Sequence, residues 1–196
     1  QFPSYLMPLL SITIINKEHR LESDLTITHD PALIESISQQ QLICLCHQIK
    51  SGAISVPRKI DVGNLNLTSL PEDIHVLNGV EHLLLNNNAL SKLPKSFNQL
   101  SSVKVLELQF NTLTDISALS PLTQMVYLNL RNNQFSMFPK ELNGLTLLEG
   151  LSLSGNNLTS IPSLASLHNL KSLYLQYNKL TSLPDDIGCL LLLKEM

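Results

Sequence analysis

Cys44, Cys46 and His47 stand close together, and Asp185 is followed directly by Asp186. Thiolates with an imidazole can hold a zinc ion, and paired carboxylates can serve as acid and base. The spacing argues against both. On a helix, residues two apart point in different directions, so the thiols of Cys44 and Cys46 do not converge, and small buried hydrophobes is the reading that fits them. Asp115, Asp185 and Asp186 fall in turn-forming stretches, where aspartate serves the backbone. The histidines at 19, 29, 47, 75, 82 and 168 do not pair with a nucleophile at a spacing that activates one, and the seven glycines form no phosphate-cradling loop. The expectation is a chain that is not an enzyme and carries no metal and no cofactor. Recognition is the chemistry that remains. Phe110, Tyr127, Arg131, Tyr174 and Tyr177, with His82 and Glu107 beside them, are the candidate partner-binding residues, because aromatic and arginine side chains anchor protein interfaces.

Those side chains are positioned by a repeat. Met125 to Phe135 reads MVYLNLRNNQF and fits the pattern LxxLxLxxNxL. Copies run through Val80, Leu83, Leu85, Asn88 and Leu90; through Val103, Leu106, Leu108, Asn111 and Leu113; through Leu148, Leu151, Leu153, Asn156 and Leu158; and through Leu170, Leu173, Leu175, Asn178 and Leu180. A degenerate first copy has Ile60, Val62 and Leu67, with Leu65 in place of the asparagine. Pattern positions 65, 88, 111, 133, 156 and 178 are 23, 23, 22, 23 and 22 residues apart. So constant a period marks a solenoid.

In LxL the side chains alternate, so each copy predicts a short strand with its leucines on a buried face. One copy cannot bury them alone and needs its neighbours. Asn88, Asn111, Asn133, Asn156 and Asn178 carry both a donor and an acceptor, so they can satisfy backbone groups where the chain turns inward; stacked, they predict a ladder beside a parallel sheet. The residues between the leucines face the other, concave side. Phe110, Tyr127, Arg131, Tyr174 and Tyr177 fall there on neighbouring strands. Gly150, Ser152, Ser154 and Gly155 suggest a shallow gap between the aromatic patches.

Three of the turns read LPxxφxxL, at 70–77, 93–100 and 183–190, and Phe138-Pro139 to Leu145 is the same with phenylalanine first. This 23-residue form resembles the intracellular leucine-rich repeats of Ras-suppressor and plant Ras-group proteins. Leu113 to Leu122 resembles the repeats of the regulatory subunit of type 1 protein phosphatase. The resemblance implies an α/β solenoid, a horseshoe with a parallel concave sheet. Proline fixes φ and breaks a regular helix, so short 3₁₀ or irregular turns are expected on the convex side. It also implies a protein partner, of the small GTPase or protein phosphatase class.

The remaining residues bound the setting. Apolar residues make up 43% and charged ones 15%, with a net charge of −3; no basic stripe points to nucleic acid. Three cysteines with no cysteine-rich cap favour a reducing, cytoplasmic compartment. The sequons at Asn66 and Asn157 point the other way, but an N-L-T string is also a by-product of the repeat. The run Tyr5–Ile15 is too short to span a membrane and lacks the basic lead-in of a signal peptide. Leu9–Ile15 and Leu25–Thr28 read as extended. Asp30-Pro31 predicts a helix start, and Ser51-Gly52 its end near Lys50. Ile34, Ile37, Leu42, Leu45, Cys46 and Ile49 form its apolar stripe, suited to capping the first repeat. The expected organisation is 1–53 as N-terminal segment and capping helix and 54–196 as six repeats plus the start of a seventh. Gln1 and the apolar residues up to Met196 suggest a fragment whose native chain continues. The functional reading is an interaction module or scaffold in intracellular signalling. The alternatives are the recognition or regulatory part of a larger phosphatase or kinase, and an extracellular recognition fragment.

Overall fold

The computed structural model describes the backbone of residues 12–15, 24–27 and 34–196, and side chains from Gln40 onward. The predicted helix start at Asp30-Pro31, the sequence before Ile12 and the side chains of Ile34 and Ile37 lie outside the described residues. Eight strands lie side by side in chain order: β1 (Ile12–Ile15), β2 (Asp24–Ile27), β3 (Lys59–Asp61), β4 (His82–Leu84), β5 (Val105–Glu107), β6 (Tyr127–Asn129), β7 (Gly150–Ser152) and β8 (Ser172–Tyr174). β1 and β2 pair antiparallel, and every later pair is parallel.

The register follows the repeat. Leu83, Leu106, Leu128, Leu151 and Leu173 stand opposite one another along the sheet, and all are fully buried. A fully buried leucine contributes about 1.5–3 kcal/mol relative to an exposed one. The same layers recur in each repeat, so the core is a continuous ribbon closed at each level by neighbouring repeats.

Convex turns are 3₁₀ helices at Glu72–Leu77, Lys95–Gln99, Ser117–Leu119, Lys140–Gly144 and Asp185–Cys189. Four of the five follow a proline with φ −65° in the extended region. Proline supplies this φ at no cost and donates nothing, so the helix begins one residue later. The apolar residue three after each proline is buried at Ile74, Phe97 and Leu142. The two 22-residue copies differ. One keeps a single short 3₁₀ turn, Ser117–Leu119, and between β7 and β8 the convex side has turns only.

The one α-helix among the described residues, α1 (Ile34–Lys50), ends where Ser51-Gly52 predicts. Gly52 has φ +75°, its N–H reaches the Ile49 carbonyl, and the Ala53 N–H reaches the Gln48 carbonyl. These two bonds close the last turn and favour a residue without a Cβ at Gly52. Leu42, Leu45, Cys46 and Ile49 are buried in the common core. α1 packs on the convex turn Glu72–Leu77, while β2 lies against β3. Both the sheet and the convex layer of the first repeat are thereby covered. At the opposite edge Glu195 bridges to Ser172, and the Leu173 N–H donates to the Glu195 carbonyl at 2.9 Å.

The asparagines sit where each strand turns inward. Asn133 Oδ1 accepts from the Leu113 N–H at 3.0 Å. Its Nδ2 donates to the carbonyls of Leu108 and Leu130 at 3.0 and 3.1 Å. Asn111 and Asn156 make the equivalent bonds, and all three are 6% exposed. Asn88 and Asn178 repeat the scheme with more exposure. Each side chain ties its own repeat to the previous one. Leu65 at the first copy is buried instead, and its N–H is taken by Asn88 Oδ1 at 3.1 Å.

Candidate protein-binding face

The concave face carries two successive motifs at every strand exit. First come the outward residues of the strand, then one residue in the left-handed backbone region. That second row is Asn64, Asn87, Phe110, Asn132, Gly155 and Tyr177, with φ between 52° and 69°. Asparagine and glycine enter this region readily, whereas an aromatic residue costs about 1–2 kcal/mol there. Phe110 and Tyr177 break the rule of their row, and both rings face solvent, 46% and 83% exposed. Three strand spacings of about 4.8 Å place them about 15 Å apart.

Between these two rings the surface is polar. The Arg131 guanidinium lies 5.9 Å from the centre of the Phe110 ring, within the range of a cation–π contact. Asn129 Oδ1 accepts the Arg131 N–H at 3.1 Å, and Asn129 Nδ2 donates to Glu107 Oε2 at 3.1 Å. Ser154 Oγ donates to Gln176 Oε1 at 2.7 Å.

The gap expected at the fifth repeat is filled. Gly150, Ser152 and Ser154 are buried. The Tyr127 ring lies over Gly150, where an added methyl would meet Tyr127 Cδ2 at 2.6 Å. Asn132 leans across Gly155, its Oδ1 occupying the place where a Cβ would stand. The missing side chains are seats for neighbours on the preceding strand, not open space. Burial, then the Glu107 carboxylate and Tyr174, hold the Tyr127 phenol above its ordinary 10.0. The Tyr174 hydroxyl donates to Glu195, and this bond is the main reason that its phenol is also raised.

The structure thus joins Phe110 to Arg131, and places Tyr127 near Glu107 and Tyr174. Tyr177 shares the left-handed row with Phe110, at its far end. His82 is exposed on β4, in the row of Tyr127 but separated from it by Val105 on β5. Glu195, Asn129 and the two seating glycines were not singled out from the sequence for these roles. The left-handed backbone of the row was not read from the sequence, and the signal that could have shown it is that its other members are all asparagine or glycine.

Among the described residues no group of three His, Cys, Asp or Glu side chains could hold a metal ion. Cys46 is buried, and burial pushes its thiol up to about 11. Among the described residues no helix is long and apolar enough to cross a membrane. Asn66 and Asn157 of the sequons are exposed.

Residues 78–135 match the family model described as leucine rich repeat, and residues 146–188 the model described as leucine rich repeats in two copies. Over 63 residues, 32% of this chain, the sequence is 36% identical to a Dictyostelium discoideum protein named "Probable inactive serine/threonine-protein kinase roco10", of which this is 2%. A leucine-rich repeat protein of Leptospira interrogans has a similar structure, with 32% identity and a TM-score of 0.67 over 70% of this chain and 36% of that one. So does the leucine-rich repeat ectodomain of the Arabidopsis thaliana membrane receptor kinase GASSHO1/SCHENGEN3, solved in complex with Casparian strip integrity factor 2. There the identity is 32% and the TM-score 0.60, over 65% of this chain and 16% of that one. The chain spans a minor part of each of these proteins.

Proposed function

Because this chain belongs to the leucine-rich repeat family, we propose that it is a protein-binding module whose partner docks on the concave face between Phe110 and Tyr177. One observation carries the reading. Two exposed aromatic rings occupy left-handed backbone positions that asparagine would fill at lower cost. Strain of this kind persists where function requires it. Tyr127, Tyr174 and Arg131 lie between them and supply further anchor types. The partner classes proposed are a small GTPase or a protein phosphatase, and the setting an intracellular signalling scaffold, in keeping with the free thiols of Cys44, Cys46 and Cys189.

A second reading is the recognition part of a larger signalling enzyme. It is favoured by the 36% identity to a short stretch of a much longer kinase-named protein. An extracellular role is the third reading, resting on the exposed sequon asparagines. Glycan analysis of the native protein separates it from the others: sugar at Asn66 or Asn157 establishes secretion.

The docking face is tested by an amide-resolved NMR footprint of the partner recovered from native lysate. Perturbed amides should cluster at Phe110, Tyr127, Arg131, Tyr174 and Tyr177. A footprint confined to the convex turns Lys95–Gln99 and Lys140–Gly144 overturns the reading.

A further inference from the structure

Resting on the concave-face reading, we infer that the segment seated there is acidic: it presents an aspartate or glutamate carboxylate to Arg131, with an apolar side chain beside it against Phe110. Three cations along the leading edge of the sheet have carboxylate partners. Arg58 and Lys104 both pair with Glu81 at 3.0 Å, and Lys171 pairs with Glu149 at 2.7 Å. Arg131 differs. Among the described residues no carboxylate pairs with it, although its side chain is exposed and sits among polar neighbours.

Glu107, one strand away, is the other charge on the concave positions of β5 to β8, and it is engaged by Asn129. The far-edge acid Glu195 is engaged by Tyr174 and Ser172. The rest of that surface is neutral: Gln109, Asn129, Asn132, Ser154 and Gln176. The Phe110 ring beside the guanidinium gives it an apolar partner at 5.9 Å, and the Arg131 side chain is open to solvent. A guanidinium offers parallel donors that match a carboxylate. Holding it in place before binding reduces the ordering cost of the contact.

The probe is a displayed library of random twelve-residue peptides, selected against the full chain and followed by synthesis of enriched sequences. The expected enrichment is an Asp or Glu adjacent to an apolar residue. Arg131→Gln should bind such peptides at least tenfold more weakly while melting with wild type. Changing the peptide's Glu to Gln should weaken wild-type binding by a similar factor and leave Arg131→Gln binding unchanged. Arg131→Lys, which keeps charge but not the fork, should fall between. Enriched peptides without acidic residues, or equal affinity for wild type and Arg131→Gln, overturn the inference, as does the absence of any enrichment. If the selected peptides ignore Arg131 but are lost in the Tyr174→Ala, Tyr177→Ala double variant, the acidic partner fails and the concave face stands. If they ignore both, both fail.

Discussion

Phe110 and Tyr177 each hold φ at 58°, and the consequence for stability can be measured apart from binding. An asparagine at position 177 relieves a cost of about 1 kcal/mol and gives up little packing, since Tyr177 is 83% exposed. Tyr177→Asn should therefore raise the denaturant midpoint while lowering partner affinity. A midpoint that falls by a comparable amount removes the strain argument. Asn133 is the opposite case. Its side chain satisfies the Leu113 N–H and two carbonyls in a buried site. Asn133→Ala leaves these groups unpaired and should cost about 1–3 kcal/mol in chemical denaturation. Leu65→Asn should bring no comparable gain, because Leu65 is already packed in the core. An Asn133→Ala variant as stable as wild type would mean that water or relaxation replaces the ladder.

At the level of the element, the strand is three residues long and its two faces have different jobs. Leu130, just beyond β6, is fully buried, whereas Asn129 before it is partly exposed on the concave side. Leu130→Ala should cost roughly 2–5 kcal/mol, and Asn129→Ala far less; equal losses would contradict the register. The concave side has its own dependence on neighbours. Gly150→Ala puts a methyl against the Tyr127 ring, so the ring must swing off the sheet. The expected result is a changed Tyr127 environment in NMR and weaker partner binding, with the leucine core intact.

This division also marks what the sequence could reveal. Alternation within LxL and a constant period fix strands, register and buried face, because these depend on spacing alone. The LPxxφxxL stretches fix the convex turns through proline's φ. The glycines were read as a gap because a missing side chain says nothing about which neighbour leans into its place. That depends on the rotamers of Tyr127 and Asn132 on the preceding strand. The Tyr174–Glu195 bond was likewise hidden, joining residues of successive repeats through side chains that have no fixed partner in the pattern.

For the whole molecule, the leading edge of the sheet carries a row of charges that couples adjacent repeats. Arg58 and Lys104 hold the Glu81 carboxyl at about 2, below its ordinary 4.5. The stabilisation from a depressed carboxyl is present above the ordinary value and is lost as pH falls from 4.5 through about 2. Glu81→Gln should thus lower the melting temperature at pH 7. Its deficit should shrink below pH 4.5 and vanish near pH 2, and added salt should reduce it, as the partner cations Arg58 and Lys104 are half-exposed. A deficit independent of pH would assign the loss to packing.

The solenoid as a whole buries its leucines with Phe97 and Phe135 inside and presents Phe110, Tyr127, Tyr174 and Tyr177 on one curved side, so binding and folding draw on different residues. Tyr174 and Tyr177 belong to the concave face and not to the buried core; Lys95 and Lys140 are exposed on the convex turns. The most direct test is the affinity of a purified partner, by calorimetry, for the Tyr174→Ala, Tyr177→Ala double variant and for the Lys95→Ala, Lys140→Ala double variant. Anchor residues carry about 2 kcal/mol or more each. The tyrosine variant should bind at least tenfold more weakly while still melting cooperatively, and the lysine variant should bind as wild type does. Undiminished affinity in the tyrosine variant, with loss in the lysine variant, would contradict the concave face as the functional surface.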